Sequence, residues 1–142
     1  MNEHVLLIDD EPEFIETLGE RMMSRGMNVT STTSAKEGIE AARKQFFDVV
    51  VLDLQMPDMD GLETLKALKE NNPDIQVILL TGHATVEKGI SAMKLGAMDL
   101  LEKPADISVL TDKIHKAQTT KMILVEKKAS DRIKKIMETR GW

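Results

Sequence analysis

The chain of 142 residues has no cysteine and no tyrosine, and aromatic residues make up only 3% of it. Without cysteine it can form no disulfide framework and carry out no thiolate chemistry. Aliphatic side chains and ten methionines must therefore fill the core, and the apolar fraction of 42% allows a sizeable one. The length fits one ordinary domain with a short additional element.

Long apolar runs are also missing. The run near the amino terminus is too short and too acidic for a secretory signal, and no later run approaches the roughly 18 apolar residues of a membrane span. We therefore expect a cytoplasmic protein with no membrane partner.

Charge is distributed unevenly along the chain. Residues 121–140 contain seven basic and three acidic side chains, a net charge of +4, whereas the whole chain carries −5 and the remainder therefore −9. An acidic body argues against direct binding of nucleic acid, because phosphate backbones attract Lys and Arg and repel carboxylates.

Short apolar runs alternate with stretches of helical periodicity. The predicted strands cover residues 5–8, 27–32, 46–52, 75–80 and 98–101. The predicted helices cover residues 12–25, 34–44, 61–70 and 85–95, and a fifth begins after Asp106 as N-cap. Ser34 and Glu37 have the spacing of a capping box for the second helix. This alternation predicts an α/β fold with a parallel sheet and helices on both faces.

Polar side chains follow four of the five predicted strands. Asp9 and Asp10 follow the first strand and Asp53 follows the third. Thr81 follows the fourth strand, and Lys103 stands just beyond the fifth. Because the carboxyl ends of parallel strands meet at one edge of the sheet, we expect these five side chains to lie together in a ligand crevice.

Four short motifs carry a resemblance to a known family. They are Asp9-Asp10, the stretch DLQMPDMDG at residues 53–61, Thr81-Gly82 and Lys103-Pro104. Residues 1–120 resemble a response regulator receiver domain, the phosphoacceptor domain of two-component signal transduction. The resemblance implies a flavodoxin-like, doubly wound, five-stranded sheet of order 2-1-3-4-5, with a cis peptide at Lys103-Pro104.

The same resemblance implies a function. Asp53 would take a phosphoryl group from a phosphohistidine on a sensor histidine kinase or phosphotransfer protein, with Lys103 and Thr81 as the other catalytic residues. Phosphoryl transfer needs an in-line nucleophilic oxygen, a metal ion and further positive charge. The output would be protein–protein contact with a downstream effector that the sequence does not name.

The acidic residues require a cation among them. Carboxylates about 4 Å apart repel each other by roughly 4 kcal/mol per pair at an effective dielectric constant near 20. Oxygen ligands from Asp10, Asp53 and the backbone carbonyl of Gln55, with waters held by Asp9, fit Mg²⁺. The sequence has no cluster of His or Cys that would favour zinc.

Two other function classes share parts of this pattern. A flavin-binding flavodoxin would need small hydroxyl or glycine residues after the first strand, where the acidic residues 9–11 would repel a phosphate without metal. An aspartyl-phosphate phosphohydrolase would need an acid or base two residues after the nucleophile, where Gln55 stands. We therefore expect no enzyme acting on outside substrates, only self-phosphorylation and slow self-dephosphorylation.

The resemblance fails at Leu100. The family usually has Tyr or Phe there, and the rotamer of that aromatic ring is coupled to the threonine. We expect phosphorylation to reshape the surface of the fourth helix, fifth strand and fifth helix by a smaller or different motion. The isolated histidines are expected at the surface or at edges, with a place lining the crevice as the alternative for His83, two residues after Thr81.

Residues 121–142 form a separate amphipathic helical extension in this prediction. Val125, Ala129, Ile133 and Ile136 or Met137 recur at helical spacing. Either this helix packs back on its own domain or frays, or it is a self-association or docking helix continuous with the fifth helix. A homodimer would then form through the extension or through the surface of the fourth helix, fifth strand and fifth helix.

Two contexts are open for the chain as a whole. It is either a stand-alone regulator or the receiver part of a longer transcription regulator. We prefer the stand-alone interpretation because the sequence begins with Met1 and the last residues resemble a finished helix.

Overall fold

Five parallel strands alternate with five helices in the computed structural model, which describes residues 2–82 and 86–139. The elements in chain order are β1 His4–Ile8, α1 Pro12–Met23, β2 Asn28–Thr32, α2 Ala35–Lys44, β3 Val49–Leu52, α3 Gly61–Asn71, β4 Gln76–Thr81, α4 Val86–Lys94, β5 Asp99–Glu102 and α5 Ile107–Thr139. The sheet order is β2-β1-β3-β4-β5, and every pairing is parallel. The predicted flavodoxin-like fold is confirmed.

The two faces of the sheet have separate cores. Alternate residues of β1, β3 and β4 point to opposite faces of the sheet. Because both faces are buried, these strands are apolar along almost their whole length. Helices α2, α3 and α4 cover one face, with Ile39, Leu65 and Ala92 in its core. Helices α1 and α5 cover the other, with Leu18 and Ile114 in its core. The carboxyl edge of the sheet between these helices is therefore left for polar residues.

Several element boundaries differ from the sequence-based predictions. The predicted third strand begins at Phe46, but β3 begins at Val49, and the Phe46 side chain is exposed and covers Lys121. Strand β4 is shifted by one residue relative to the predicted 75–80, so that it ends with Thr81. The predicted start of the fourth helix at Thr85 lies outside the described residues, and α4 begins at Val86 within them.

One helix runs through the predicted boundary between residues 120 and 121. Helix α5 has 33 residues, which corresponds to a length of about 50 Å. Its first half packs on the sheet, and Lys121 is its last buried residue in the described part. Lys121 donates to the carbonyl oxygen of Phe47 at 3.0 Å, and Lys128 forms an ion pair with Asp74 at 2.8 Å. The extension is therefore joined to the body at its base and projects beyond it.

Candidate functional site

Four carboxylates meet at the carboxyl edge of the sheet. Asp9, Asp10 and Glu11 follow β1, Asp53 follows β3, and one oxygen from each lies within 4.8 Å of the others. Asp9 and Asp53 are buried, at 1% and 5% relative exposure, while Asp10 and Glu11 are more accessible to solvent. The predicted clustering of the aspartates is therefore present, with Glu11 as an additional member.

Lys103 reaches this cluster from the loop after β5. Its Nζ lies 2.7 Å from Asp9 Oδ2, 3.1 Å from Glu11 Oε1 and 3.5 Å from Asp53 Oδ2. The peptide bond to Pro104 is cis, as the family resemblance implies. Burial acts to lower the pKa of Lys103, but hydrogen bonds to Asp9 and Glu11 and the neighbouring charges outweigh it and raise that pKa above its usual value. Lys103 therefore stays cationic at neutral pH.

Two neighbours of Lys103 were not predicted from the sequence. Glu11 bonds its ammonium group, and the ring of Phe14 lies 4.2 Å from Nζ, within the range of a cation–π contact. The signal for Glu11 was present in the sequence as the third member of an acidic run. Phe14 carried no such signal, because its place on the inner side of α1 serves packing equally well.

Asp9 is the most strongly enclosed carboxylate of the four. Burial raises its pKa, the bonds from Lys103 and from the Glu11 backbone N–H act in the opposite direction, and the net effect is a raised pKa. The charge of Asp53 adds to the rise. Asp9 is therefore a weaker acid than an exposed aspartate, in spite of its ion pair with Lys103.

This raised pKa predicts a pH dependence of stability. A carboxyl group whose pKa is higher in the folded than in the unfolded protein contributes stability at low pH, and this contribution is lost as pH rises from 3.8 through the raised value. Without Mg²⁺, we expect wild type to lose stability relative to Asp9→Asn over that interval. Urea unfolding of both proteins at a series of pH values measures the difference. A difference that moves in the opposite direction would contradict the raised pKa, and Mg²⁺ should flatten the curve because it favours ionised Asp9.

The loop between β3 and α3 holds Asp53 from one side. The backbone N–H of Gln55 donates to Asp53 Oδ1 at 3.0 Å, while Oδ2 faces Lys103. Gln55 pairs with Asp60 across the loop, and the N–H of Gly61 donates to the carbonyl oxygen of Leu54 at 3.1 Å. Both oxygens of Asp53 are thereby oriented before any ligand arrives.

Thr81 ends β4 next to this arrangement. It is fully buried, and its carbonyl oxygen accepts a hydrogen bond from the N–H of Lys103 at 2.8 Å. This bond joins the ends of β4 and β5 at the carboxyl edge. His83, for which the sequence leaves a surface position or a place in the crevice open, lies outside the described residues.

Leu100 occupies the place of the missing aromatic ring. It pairs with Leu79 in the sheet and packs partly buried against the core under α4. A Cβ atom added at Gly89 of α4 would lie 3.2 Å from Leu100 Cδ2. Helix α4 therefore packs closely against Leu100 at Gly89, where the helix has no side chain.

The donor set suits a hard divalent cation. Magnesium prefers oxygen ligands in octahedral geometry and keeps several waters, and a carboxylate cluster open to solvent on one side provides for both. Asp10, Asp53 and the backbone of Gln55, with Asp9 behind them, are the groups that would hold it. Among the described residues, the cluster contains carboxylates and no histidine. Within the part of the chain that the structure describes, no helix is long and apolar enough to cross a membrane.

Comparisons with known proteins agree on the family. The family model described as "Response regulator receiver domain" matches residues 5–115. The transcriptional regulatory protein ZraR of Escherichia coli K12 is 37% identical over 116 residues, which cover 82% of this chain and 26% of that protein. The C4-dicarboxylate transport transcriptional regulatory protein DctD of Pseudomonas aeruginosa is 38% identical over 122 residues, which cover 86% and 26%. The chain thus matches only about a quarter of the length of these two relatives.

Solved structures give the same result. A response regulator receiver domain protein from Clostridium thermocellum has a TM-score of 0.82 at 32% identity, covering 86% of this chain and 98% of that one. NtrX from Brucella abortus has a TM-score of 0.82 at 26% identity, covering 94% of this chain and 31% of that one. Together with the match over residues 5–115, these similarities show that the chain belongs to the response regulator receiver domain family.

Proposed function

We propose that the protein is a phosphoacceptor of two-component signal transduction in which Asp53 accepts the phosphoryl group with the help of Mg²⁺. The observation that carries the proposal is the environment of Asp53. It is a buried carboxylate with one oxygen held by the N–H of Gln55 and the other 3.5 Å from Lys103, inside a group of acidic oxygens. A carboxylate buried among other charged groups contributes little to core packing, and its environment is typical of a nucleophile.

The transfer step follows from these positions. An oxygen of Asp53 attacks the phosphorus of a phosphohistidine on a sensor histidine kinase or phosphotransfer protein. The P–O bond forms, the P–N bond breaks, and its electron pair remains on the imidazole nitrogen of the donor. Lys103 stabilises the charge on the phosphoryl oxygens, and the hydroxyl of Thr81 would donate to one of them. When bound, Mg²⁺ would offset the remaining negative charge and orient the phosphoryl oxygens.

The resting cluster explains why a metal is needed. Lys103 already contacts three of the four carboxylates and cannot neutralise all of them together with an incoming phosphoryl group. The pKa of Asp9 is raised first by its burial, and the charge of Asp53 adds a smaller contribution in the same direction. Removal of Mg²⁺ should therefore stop the reaction rather than slow it slightly.

The proposal includes an inability to hydrolyse outside phosphoesters. Gln55 occupies the position two residues after Asp53, and its amide cannot act as an acid or base on a leaving group. The aspartyl phosphate would then be lost only by slow attack of water. The phosphohydrolase alternative would place an acid or base at that position, where this chain has an amide.

A direct experiment tests the function. The protein is incubated with a small acyl phosphate, with Mg²⁺ or with a chelator, and its mass is measured. We expect one added phosphoryl group with Mg²⁺ and none with the chelator. Brisk turnover of a generic phosphoester would support the phosphohydrolase instead, and a phosphoryl group on any residue other than Asp53 would contradict the proposal.

The phosphoacceptor domain would comprise residues 1–120, and the helical extension would comprise residues 121–142. The protein would act in the cytoplasm and signal through contacts with other proteins. The alternative of a receiver part within a longer transcription regulator has in its favour that ZraR and DctD are each far longer than the matched region. Asp53 has the same role in both cases. In neither case does this chain need to bind nucleic acid, which agrees with the acidic charge of its body.

The extension of α5 is the better of two candidate surfaces for a homodimer. Its exposed apolar side chains recur at helical spacing and include Met122, Val125, Ile133, Ile136 and Met137. On an ideal helix this stripe lies about a quarter turn from the body-facing side marked by Ile114 and Lys121. The second candidate is the surface of α4, β5 and α5, where Ile90, Met93 and Val109 are exposed.

Matched variants on the extension test this assignment. Ile133→Lys with Ile136→Lys adds two positive charges on the stripe, and Asp131→Asn with Glu138→Gln changes the charge equally on the opposite side of the helix. We expect light scattering to show a dimer for the second pair, especially with Mg²⁺ and beryllofluoride, and a monomer for the first. Equal mass for both pairs would exclude the stripe as the dimer surface.

A further inference from the structure

The loop between β3 and α3 has a second attachment, away from the acidic cluster. Its base is closed by the bond from Gly61 N to Leu54 O and by the pairing of Gln55 with Asp60. Its tip carries Asp58, which is exposed and lies outside the group of four carboxylates. Asp58 thus takes no part in the proposed chemistry, although it is on the same loop as Gln55.

The Asp58 carboxylate binds the first turn of α2. It accepts hydrogen bonds from Ser34 Oγ at 3.0 Å, Ala35 N at 3.2 Å and Lys36 N at 3.1 Å. The bond from Lys36 N comes first among the causes that lower the pKa of Asp58, and the bonds from Ala35 and Ser34 act in the same direction. Free N–H groups at a helix start favour an anion there. We call this arrangement the Asp58–α2 contact.

The Asp58–α2 contact completes a chain of hydrogen bonds that connects Asp9 to the β3–α3 loop. The N–H of Asp9 donates to the carbonyl oxygen of Thr32 at 3.2 Å, and Thr32 Oγ1 accepts from the N–H of Ser34 at 3.2 Å. Ser34 donates to Asp58, and from Asp58 the loop returns to Gln55. The two segments that provide the proposed metal ligands, after β1 and after β3, are therefore joined both at the sheet and on the outside.

Helix capping alone does not account for Asp58. Ser34 already caps α2, because its Oγ accepts from the N–H of Glu37 at 3.3 Å. The cap comes from the same chain segment as the helix, whereas Asp58 reaches it from a loop 22 positions after Lys36. A carboxylate added from a distant loop fixes that loop as well as the helix.

We propose that Asp58 is a positioning residue that holds the β3–α3 loop against the start of α2 and so keeps the backbone of Gln55 at the right distance from Asp9 and Asp53 for Mg²⁺. This inference deepens the proposed function and rests on it. Outer groups that orient metal ligands often change metal affinity without touching the ion. Asp58 would be such an outer group, and it would act on the metal site through the backbone of the β3–α3 loop.

The test uses the whole chain and Mg²⁺ alone. Binding is measured by calorimetry for wild type, Asp58→Ala, Asp58→Asn and Ser34→Ala. Ser34→Ala removes the cap of α2 and one of the three bonds to Asp58 but leaves the two from backbone N–H groups, so it measures how much of the effect comes from the cap and the Ser34 hydroxyl. We expect the Kd for Mg²⁺ to rise about tenfold in Asp58→Ala, about threefold in Asp58→Asn and less than about twofold in Ser34→Ala.

Phosphorylation by a small acyl phosphate supplies a second measurement. In Asp58→Ala the Mg²⁺ concentration for half-maximal rate should rise by the same factor as the Kd, while the rate at saturating Mg²⁺ stays within about twofold of wild type. Equal Kd values for wild type and Asp58→Ala would overturn the role of Asp58 but not the proposed function. A loss of Mg²⁺ affinity in Ser34→Ala as large as in Asp58→Ala would do the same. Failure of wild type to bind Mg²⁺ would overturn the proposed function together with this inference.

Discussion

Asp53→Asn is expected to abolish phosphorylation and yet to make the protein more stable without Mg²⁺, by about 1 kcal/mol in the free energy of unfolding. The first effect follows because an amide oxygen is a far weaker nucleophile than a carboxylate. The second follows because Asp53 is buried beside Asp9, Asp10 and Glu11. Removing the charge of Asp53 removes its repulsion with the other three carboxylates.

The contacts that Asp53 makes should survive the substitution. An asparagine oxygen can still accept from Gln55 N, and Lys103 keeps Asp9 at 2.7 Å and Glu11 at 3.1 Å. Repulsion between carboxylates about 4 Å apart approaches 4 kcal/mol at an effective dielectric constant near 20, and solvent on the open side and the lost attraction to Lys103 reduce the net gain.

Chemical unfolding with and without Mg²⁺ measures this gain. Asp112→Asn is the matched control, because it removes one negative charge at an exposed site on α5 far from the cluster in sequence. We expect no change for Asp112→Asn, a gain for Asp53→Asn without metal, and a smaller gain or none when Mg²⁺ stabilises the wild type. An Asp53→Asn protein less stable than wild type without Mg²⁺ would contradict the crowding of charge at this edge.

Gly61→Ala is expected to cost about 3 kcal/mol of stability, although it adds only a single methyl group. A Cβ atom at Gly61 would lie 2.4 Å from both Cα and O of Leu54, which are backbone atoms. Overlap with a flexible side chain is relieved by rotation, but overlap with backbone forces the loop or the start of α3 to move. The bond from Gly61 N to Leu54 O would be lost in that movement.

The same substitution should weaken Mg²⁺ binding, because the displaced loop includes Gln55. Gly19→Ala in α1 is the control, since its Cβ atom would meet only ordinary contacts at 3.9 Å. Alanine is about 1 kcal/mol better than glycine inside a helix, so Gly19→Ala should stabilise the protein or leave it unchanged. Thermal unfolding and Mg²⁺ titration of both variants measure these effects. Gly61→Ala with wild-type stability would show that the loop can yield without cost.

How far the site could be predicted differs from residue to residue. Asp9, Asp10 and Asp53 come directly after strands, so their clustering follows from a parallel sheet once the strands are recognised. Lys103 follows by the same reasoning. The Asp58–α2 contact could not be predicted, because Asp58 and Lys36 are joined only by tertiary folding and no periodicity relates them.

The extension of α5 also combines predictable and unpredictable features. The amphipathic stripe was visible in the sequence, because helical spacing is a local property. The uninterrupted course of α5 to Thr139 agrees with the alternative of a helix continuous with the fifth, whereas the burial of Lys121 against Phe47 and Asp48 depended on where the sheet ends. The apolar run that includes Phe46 predicts a place in the third strand, but the ring of Phe46 covers Lys121 instead.

The sequence by itself determined the alternation of strands and helices, the burial of the sheet on both faces and the edge at which the acidic residues and Lys103 meet. These features depend on periodicity and on residues next to strand ends, both of which are local. Only the tertiary structure decided that Phe14 flanks Lys103 and that Asp58 binds α2. Contacts between distant segments depend on the packing of whole elements, and a single sequence carries no local signal for them.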